Sequence, residues 1–155
     1  MSVFTIDNLS YIFVDALTAV ISKMAGLSFD VLSSENDNSF DEITALMSLN
    51  GKYHGILFIS ADEKSMRTIC SFMTGVPKDE ITRNEIEDTL CELVNMTAGN
   101  AKLRTNNTDQ IYTLSSPFII NGEKLTINTK KRITVISRIL GNNEISVKLK
   151  VIFYT

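Results

Sequence analysis

The sequence holds a single histidine, His54, and only two cysteines, Cys70 and Cys91. A Ser-His-Asp or Cys-His site would have to pass through His54, beside a run that reads as a central strand, so self-contained nucleophilic hydrolysis is disfavoured. The cysteines are far apart and in no metal-type spacing, which makes them reduced core thiols rather than zinc ligands or a disulfide framework. Most of the seven glycines fall at turns or helix ends, and none builds a phosphate-cradling loop, so nucleotide-driven chemistry is not expected. No basic run is longer than Lys130-Lys131-Arg132 and the formal net charge is −3, which argues against nucleic acid or an anionic membrane as the main partner. No apolar run approaches the roughly 18 residues that span a bilayer. No basic region precedes the first apolar residues, so no signal peptide is expected and the protein reads as cytoplasmic.

What is present is an ordinary soluble composition over 155 residues, enough for one domain or two small halves sharing a core. From Ile6 to Met24 the apolar residues recur at helical spacing, with Asp7 as a plausible N-cap and Gly26 as the stop. Leu27, Phe29 and Val31 alternate with polar residues and suggest a strand, and Ser33 to Ser39 reads as a loop. Ile43, Ala45, Met47 and Leu49 alternate up to Asn50-Gly51, which signals a two-residue hairpin turn. Gly55 to Ile59 is apolar on both faces and reads as a central strand. A second helix starts at Ala61-Asp62-Glu63 and ends at Gly75, with Pro77 preventing its continuation. A third begins at the capping box Thr82-Arg83-Asn84-Glu85 and fades near Thr105-Asn106-Asn107. Strand-like runs follow: Ile111 to Ile120, a hairpin signal at Asn121-Gly122, then Leu125 to Asn128. Arg132 to Leu140 and Glu144 to Tyr154 close the chain around Gly141-Asn142-Asn143. The expected class is α+β, with long helices packed on a largely antiparallel sheet.

A weak internal repeat runs through this order. A shift of 73 positions (88 minus 15) places Asp15 on Asp88, Leu17 on Leu90, Ala25 on Ala98 and Gly26 on Gly99. The Asn-Gly signals recur at a shift of 71 (121 minus 50). The chain is therefore expected to be one domain, residues 1–155, made of two pseudo-repeated halves at about 6–75 and 82–155.

The third helix carries the remaining polar chemistry. At roughly 100° per residue, Ile86, Leu90, Leu93, Val94, Thr97 and Ala101 share one side, and Asp88, Glu92, Asn95 and Gly99 line up nearly opposite. A plain solvated face is the bland explanation. Against it, asparagine is a middling helix former and a helical glycine costs about 1 kcal/mol relative to alanine. Gly99 also removes bulk beside Glu92 and Asn95, which would let another surface approach. A carboxylate and a carboxamide make a poor hydrolase alone but suit an anchor and a water-positioner acting on a centre brought by a partner.

Glu92-Leu93-Val94-Asn95-Met96-Thr97-Ala98-Gly99-Asn100-Ala101 resembles the Glu-x-x-Asn helix of the CheC/CheX/FliY chemotaxis phosphatases. The resemblance extends to Phe13–Gly26, to Gly55–Gly75 and to the C-terminal strands, and it fits the CheX type best. Under the repeat, Ala19 and Ser22 stand where Glu92 and Asn95 stand in the second half, as in relatives with one site per chain. The resemblance implies a CheC-like fold and a phosphatase that stimulates hydrolysis of the phospho-aspartate of a CheY-like response regulator. It implies that Glu92 anchors the regulator's lysine and that Asn95 orients the attacking water, with Asp88 and Gly99 at the docking surface. It implies no cofactor held by this chain, because Mg²⁺ comes with the regulator. It also implies a homodimer, for which the run Ile145 to Phe153 is a candidate sheet-joining edge. Two other readings stand beside it: a non-catalytic module binding a response regulator or the flagellar motor, and a structural dimer whose polar helix face is incidental.

Overall fold

The computed structural model describes residues 6–34, 39–105, 113–128, 130 and 133–154. Three helices, α1 (Ile6–Ala25), α2 (Glu63–Thr74) and α3 (Arg83–Arg104), accompany seven strands. The strands are β1 (Asp30–Ser33), β2 (Ile43–Asn50), β3 (His54–Ala61), β4 (Thr113–Leu114), β5 (Phe118–Asn121), β6 (Ile133–Gly141) and β7 (Ser146–Tyr154). They form one antiparallel sheet in the order β1-β6-β7-β3-β2, and β4 and β5 both pair with the far edge of β2. The α+β class, with helices on an antiparallel sheet, is the one expected from the alternating and helical runs.

One face of the sheet carries the main core. Ile43, Ala45, Met47 and Leu49 of β2, Leu57 and Ile59 of β3 and Val147, Leu149 and Val151 of β7 are buried there, in alternate positions along their strands. Phe13, Leu17 and Ile21 of α1 and Ile86, Leu90 and Leu93 of α3 close on them. The opposite face has its own small cluster, Phe40, Leu46, Phe58 and Ile152, with Leu125 and Ile127 packed over it. Leu46 of β2, Phe58 of β3 and Ile152 of β7 thus meet a second, thinner apolar layer rather than water. This is why β3 reads as apolar on both faces.

The strand order has an exchange symmetry. Taking β4 and β5 as one interrupted strand, swapping β1, β2, β3 with β5, β6, β7 returns the same order read from the other end. The helices that open the two halves, α1 and α3, lie in contact.

Several boundaries differ from the sequence expectation. Asp7 does not cap α1, because Ile6 is already helical. Gly26 does end it, with φ of 68° and its N–H on the Ser22 carbonyl. The first strand starts at Asp30 rather than Leu27, and both Val31 and Leu32 are exposed at this edge. β2 and β3 are joined by three residues, Gly51-Lys52-Tyr53, not by a two-residue turn. The run to Ile120 is broken into β4 and β5, and Leu125 to Asn128 forms no strand. It crosses the outer face instead, bridging Ser39 through Thr126 while the Leu125 carbonyl accepts from the Phe40 N–H. The run Ile145 to Phe153 is not an edge, since β7 lies between β6 and β3; among the described residues β1 ends the sheet on that side. Residues 35–38, Asn106, Asn107, Ile111 and the Lys131-Arg132 pair lie outside the described residues.

Candidate functional site

The entry to α3 is fixed by its sequence. Thr82 Oγ1 accepts from the Glu85 N–H at 3.2 Å, and Glu85 Oε2 accepts from the Thr82 N–H at 2.8 Å, which closes the capping box. Ile81 before the cap and Ile86 four residues beyond it are both buried, the two positions of a hydrophobic staple. At the other end the Thr105 N–H reaches the carbonyls of Ala101 and Lys102, and Lys102 and Arg104 lie in the last turn, where cations suit the helix dipole. Between these ends Ile86, Leu90, Leu93, Val94, Thr97, Ala98 and Ala101 are buried. That burial fixes the rotation of the helix, so the opposite side must face out.

Asp88, Glu92 and Asn95 are exposed on that side, and Gly99 is half-buried. An i,i+3 pair puts Glu92 and Asn95 about 5–6 Å apart at Cβ. The neighbouring polar side chains have structural work. Glu87 accepts from Asn121 Nδ2 at 2.8 Å and pairs with Arg83 at 3.7 Å. Asn100 accepts from Arg104 Nε at 2.6 Å. Among the described residues no hydrogen bond or ion pair holds Asp88, Glu92 or Asn95. A Cβ built on Gly99 would meet nothing within 4 Å, so the chain's own packing does not require a glycine there.

The surroundings offer little other chemistry. Cys91, half-buried on the flank of this face, has its thiol pKa raised by burial and then by the carboxylates of Asp88 and Glu87, so it stays protonated at neutral pH and is a poor nucleophile. Cys70 is buried, with its sulfur 3.2 Å from Thr89 Oγ1. His54 is exposed at the start of β3, 3.3 Å from Asn50 Oδ1 and stacked on Tyr154, on an element that does not carry the α3 face. Among the described residues no group of three or more His, Cys, Asp or Glu side chains could hold a metal ion. No helix among them is long and apolar enough to cross a membrane.

Two features of α3 escaped the sequence reading. Thr97 Oγ1 is fully buried with no hydrogen-bond partner. Leu103, one turn beyond Gly99, is 77% exposed. Its place on the polar stripe was available from the 100° periodicity, but the helix had been expected to fade close by.

Comparison with known proteins places these features in a family. The model of the family described as chemotaxis phosphatase CheX matches residues 43–139, which include all of α3 and more than half of the chain. No curated protein sequence matches. Among solved structures, a CheC-like superfamily protein from Shewanella sp. PV-4 superposes with a TM-score of 0.83 at 23% identity, covering 98% of this chain and 100% of that one. The chemotaxis protein CheX from Vibrio vulnificus gives 0.82 at 19% identity, over 94% and 99% of the two chains. CheX in the CheX–CheY–BeF3–Mg²⁺ complex from Borrelia burgdorferi gives 0.75 at 17% identity, over 94% and 97%. These three show the shared fold, and the family match rests on the sequence of residues 43–139. The chain belongs to the CheX family of chemotaxis phosphatases.

Proposed function

We propose that this chain stimulates hydrolysis of the phospho-aspartate of a CheY-like response regulator, with Asn95 orienting the attacking water and Glu92 anchoring a lysine of the regulator. The observation that carries this reading is the contrast along α3. Glu87 and Asn100 are engaged within the chain, whereas Glu92 and Asn95, one turn apart on the same helix, are exposed and unengaged. An asparagine held on a rigid helix loses little freedom when it aligns a water, which is the usual source of rate in phosphoryl transfer. A carboxylate one turn away suits a cationic partner group and fixes the register of docking. The Borrelia CheX–CheY complex supports a CheY-like partner.

In this reading the regulator brings the phosphoryl group and its Mg²⁺, and this chain holds no cofactor. Asp88 and Gly99 extend the docking surface on either side of the pair. The protein acts in the cytoplasm as a single domain of two related halves, a view the exchange symmetry of the strand order supports. A homodimer belongs to the same proposal. The outer side of β1, which ends the sheet among the described residues and exposes Val31 and Leu32, is the edge it would use, and a monomer in sedimentation equilibrium would remove it.

The test is the phosphoryl lifetime of a CheY-like regulator charged with acetyl phosphate and Mg²⁺. Wild type shortens it, and Asn95→Ala loses on the order of 10²–10³ of the stimulation while keeping its melting temperature. Binding with an unaltered lifetime would make the chain a non-catalytic module of the same fold.

A further inference from the structure

Leu103 is the most exposed large hydrophobic side chain among the described residues. Single exposed leucines are common on protein surfaces, so its position must decide whether it means anything. At 100° per residue Leu103 lies within about 20° of Glu92 around the helix axis, and about 16 Å along it. Gly99 stands between them, one turn before Leu103, and the space a side chain would fill there is open. A surface moving along this stripe would meet Glu92, Asn95, bare backbone at Gly99 and then a protruding leucine. The chain's own packing calls for neither the missing Cβ nor the exposed side chain. Both make sense if one partner lies along the whole stripe.

We propose that Leu103 is the apolar anchor of the docking surface, seated against an apolar patch on the regulator's receiver domain beside the pocket that Asn95 enters. The inference rests on the phosphatase reading for its occupant, but it concerns affinity and not chemistry. Leu103 lies too far along the helix to touch the reacting phosphoryl group, so its loss changes how often the complex forms and not how fast the bound phosphoryl group is hydrolysed.

The experiment compares the full chain with Leu103→Ser and Leu103→Met against a CheY-like receiver held with BeF3 and Mg²⁺, which gives Kd without turnover. A parallel decay assay gives kcat on the acetyl-phosphate-charged receiver. Leu103→Ser is expected to raise Kd about ten-fold, Leu103→Met less than about two-fold, and neither to change kcat or the melting temperature. An unchanged Kd for Leu103→Ser overturns the proposal, as does a fall in kcat at constant Kd. A melting temperature lowered by several degrees at constant Kd overturns it too, since Leu103 would then pack within its own chain. If wild type binds but does not hasten decay, the phosphatase reading fails and the Leu103 proposal is still decided by Kd. If wild type does not bind, both fail.

Discussion

Gly99→Ala separates what α3 needs for itself from what its partner needs. Inside a helix, glycine is less favourable than alanine by about 0.8–1.0 kcal/mol. The substitution keeps that gain only if the new methyl group fits, and a Cβ on Gly99 meets nothing within 4 Å. The stability of the free chain should therefore rise by about 1 kcal/mol, which for a domain of this size raises the melting temperature by about 2–4 °C. The same methyl group stands on the Glu92–Asn95 face, the docking face in the proposed function, so docking should weaken as folding improves. The assay is a pair of measurements on one preparation: calorimetric melting, and the half-saturating concentration of phosphorylated regulator in the decay assay. A higher melting temperature with unchanged half-saturation would refute the role given to Gly99. A lower melting temperature would refute the packing argument itself, because the methyl group would then be meeting the chain.

Two further outcomes follow from the same helix. Thr97→Val should raise stability by about 1 kcal/mol, since it replaces an unpaired buried hydroxyl with a methyl group of similar shape; a loss in denaturant midpoint would mean that the hydroxyl is satisfied. Glu92→Lys should raise Kd for the regulator by setting two cations against each other, and should do so less at high salt. An unchanged Kd at low ionic strength would remove the anchoring role from Glu92.

The parts of the molecule legible in the sequence are those set by local rules. The capping box at Thr82 and Glu85, the stop at Gly75 and the buried side of α3 all follow from backbone donors and the 3.6-residue period, which no distant contact overrides. Gly26 and Asp62 behave in the same way at their helix ends. What was not legible depends on neighbours from elsewhere in the chain. The Asn121-Gly122 signal fits a tight hairpin, yet the segment after it is drawn over Phe40 and Phe58, where burying Leu125 and Ile127 outweighs strand pairing. The long alternating run of β7 resembles an edge suited to self-association, but both its neighbours in the sheet are supplied by the chain itself. The candidate site was partly readable. Periodicity isolates Asp88, Glu92, Asn95 and Gly99, while the engagement of Glu87 and Asn100 needed Asn121 and Arg104 in three dimensions. The inert state of Cys91 likewise depends on burial, which spacing alone does not reveal.

The central claim is that a carboxamide at position 95, and not the fold that carries it, hastens loss of the phosphoryl group. The direct measurement is the phosphoryl lifetime of a CheY-like regulator with saturating wild type, with Asn95→Ala and with neither. The account predicts a lifetime shortened by wild type and returned almost to the unassisted value by Asn95→Ala, at equal regulator binding. A variant that shortens the lifetime as well as wild type does would contradict it.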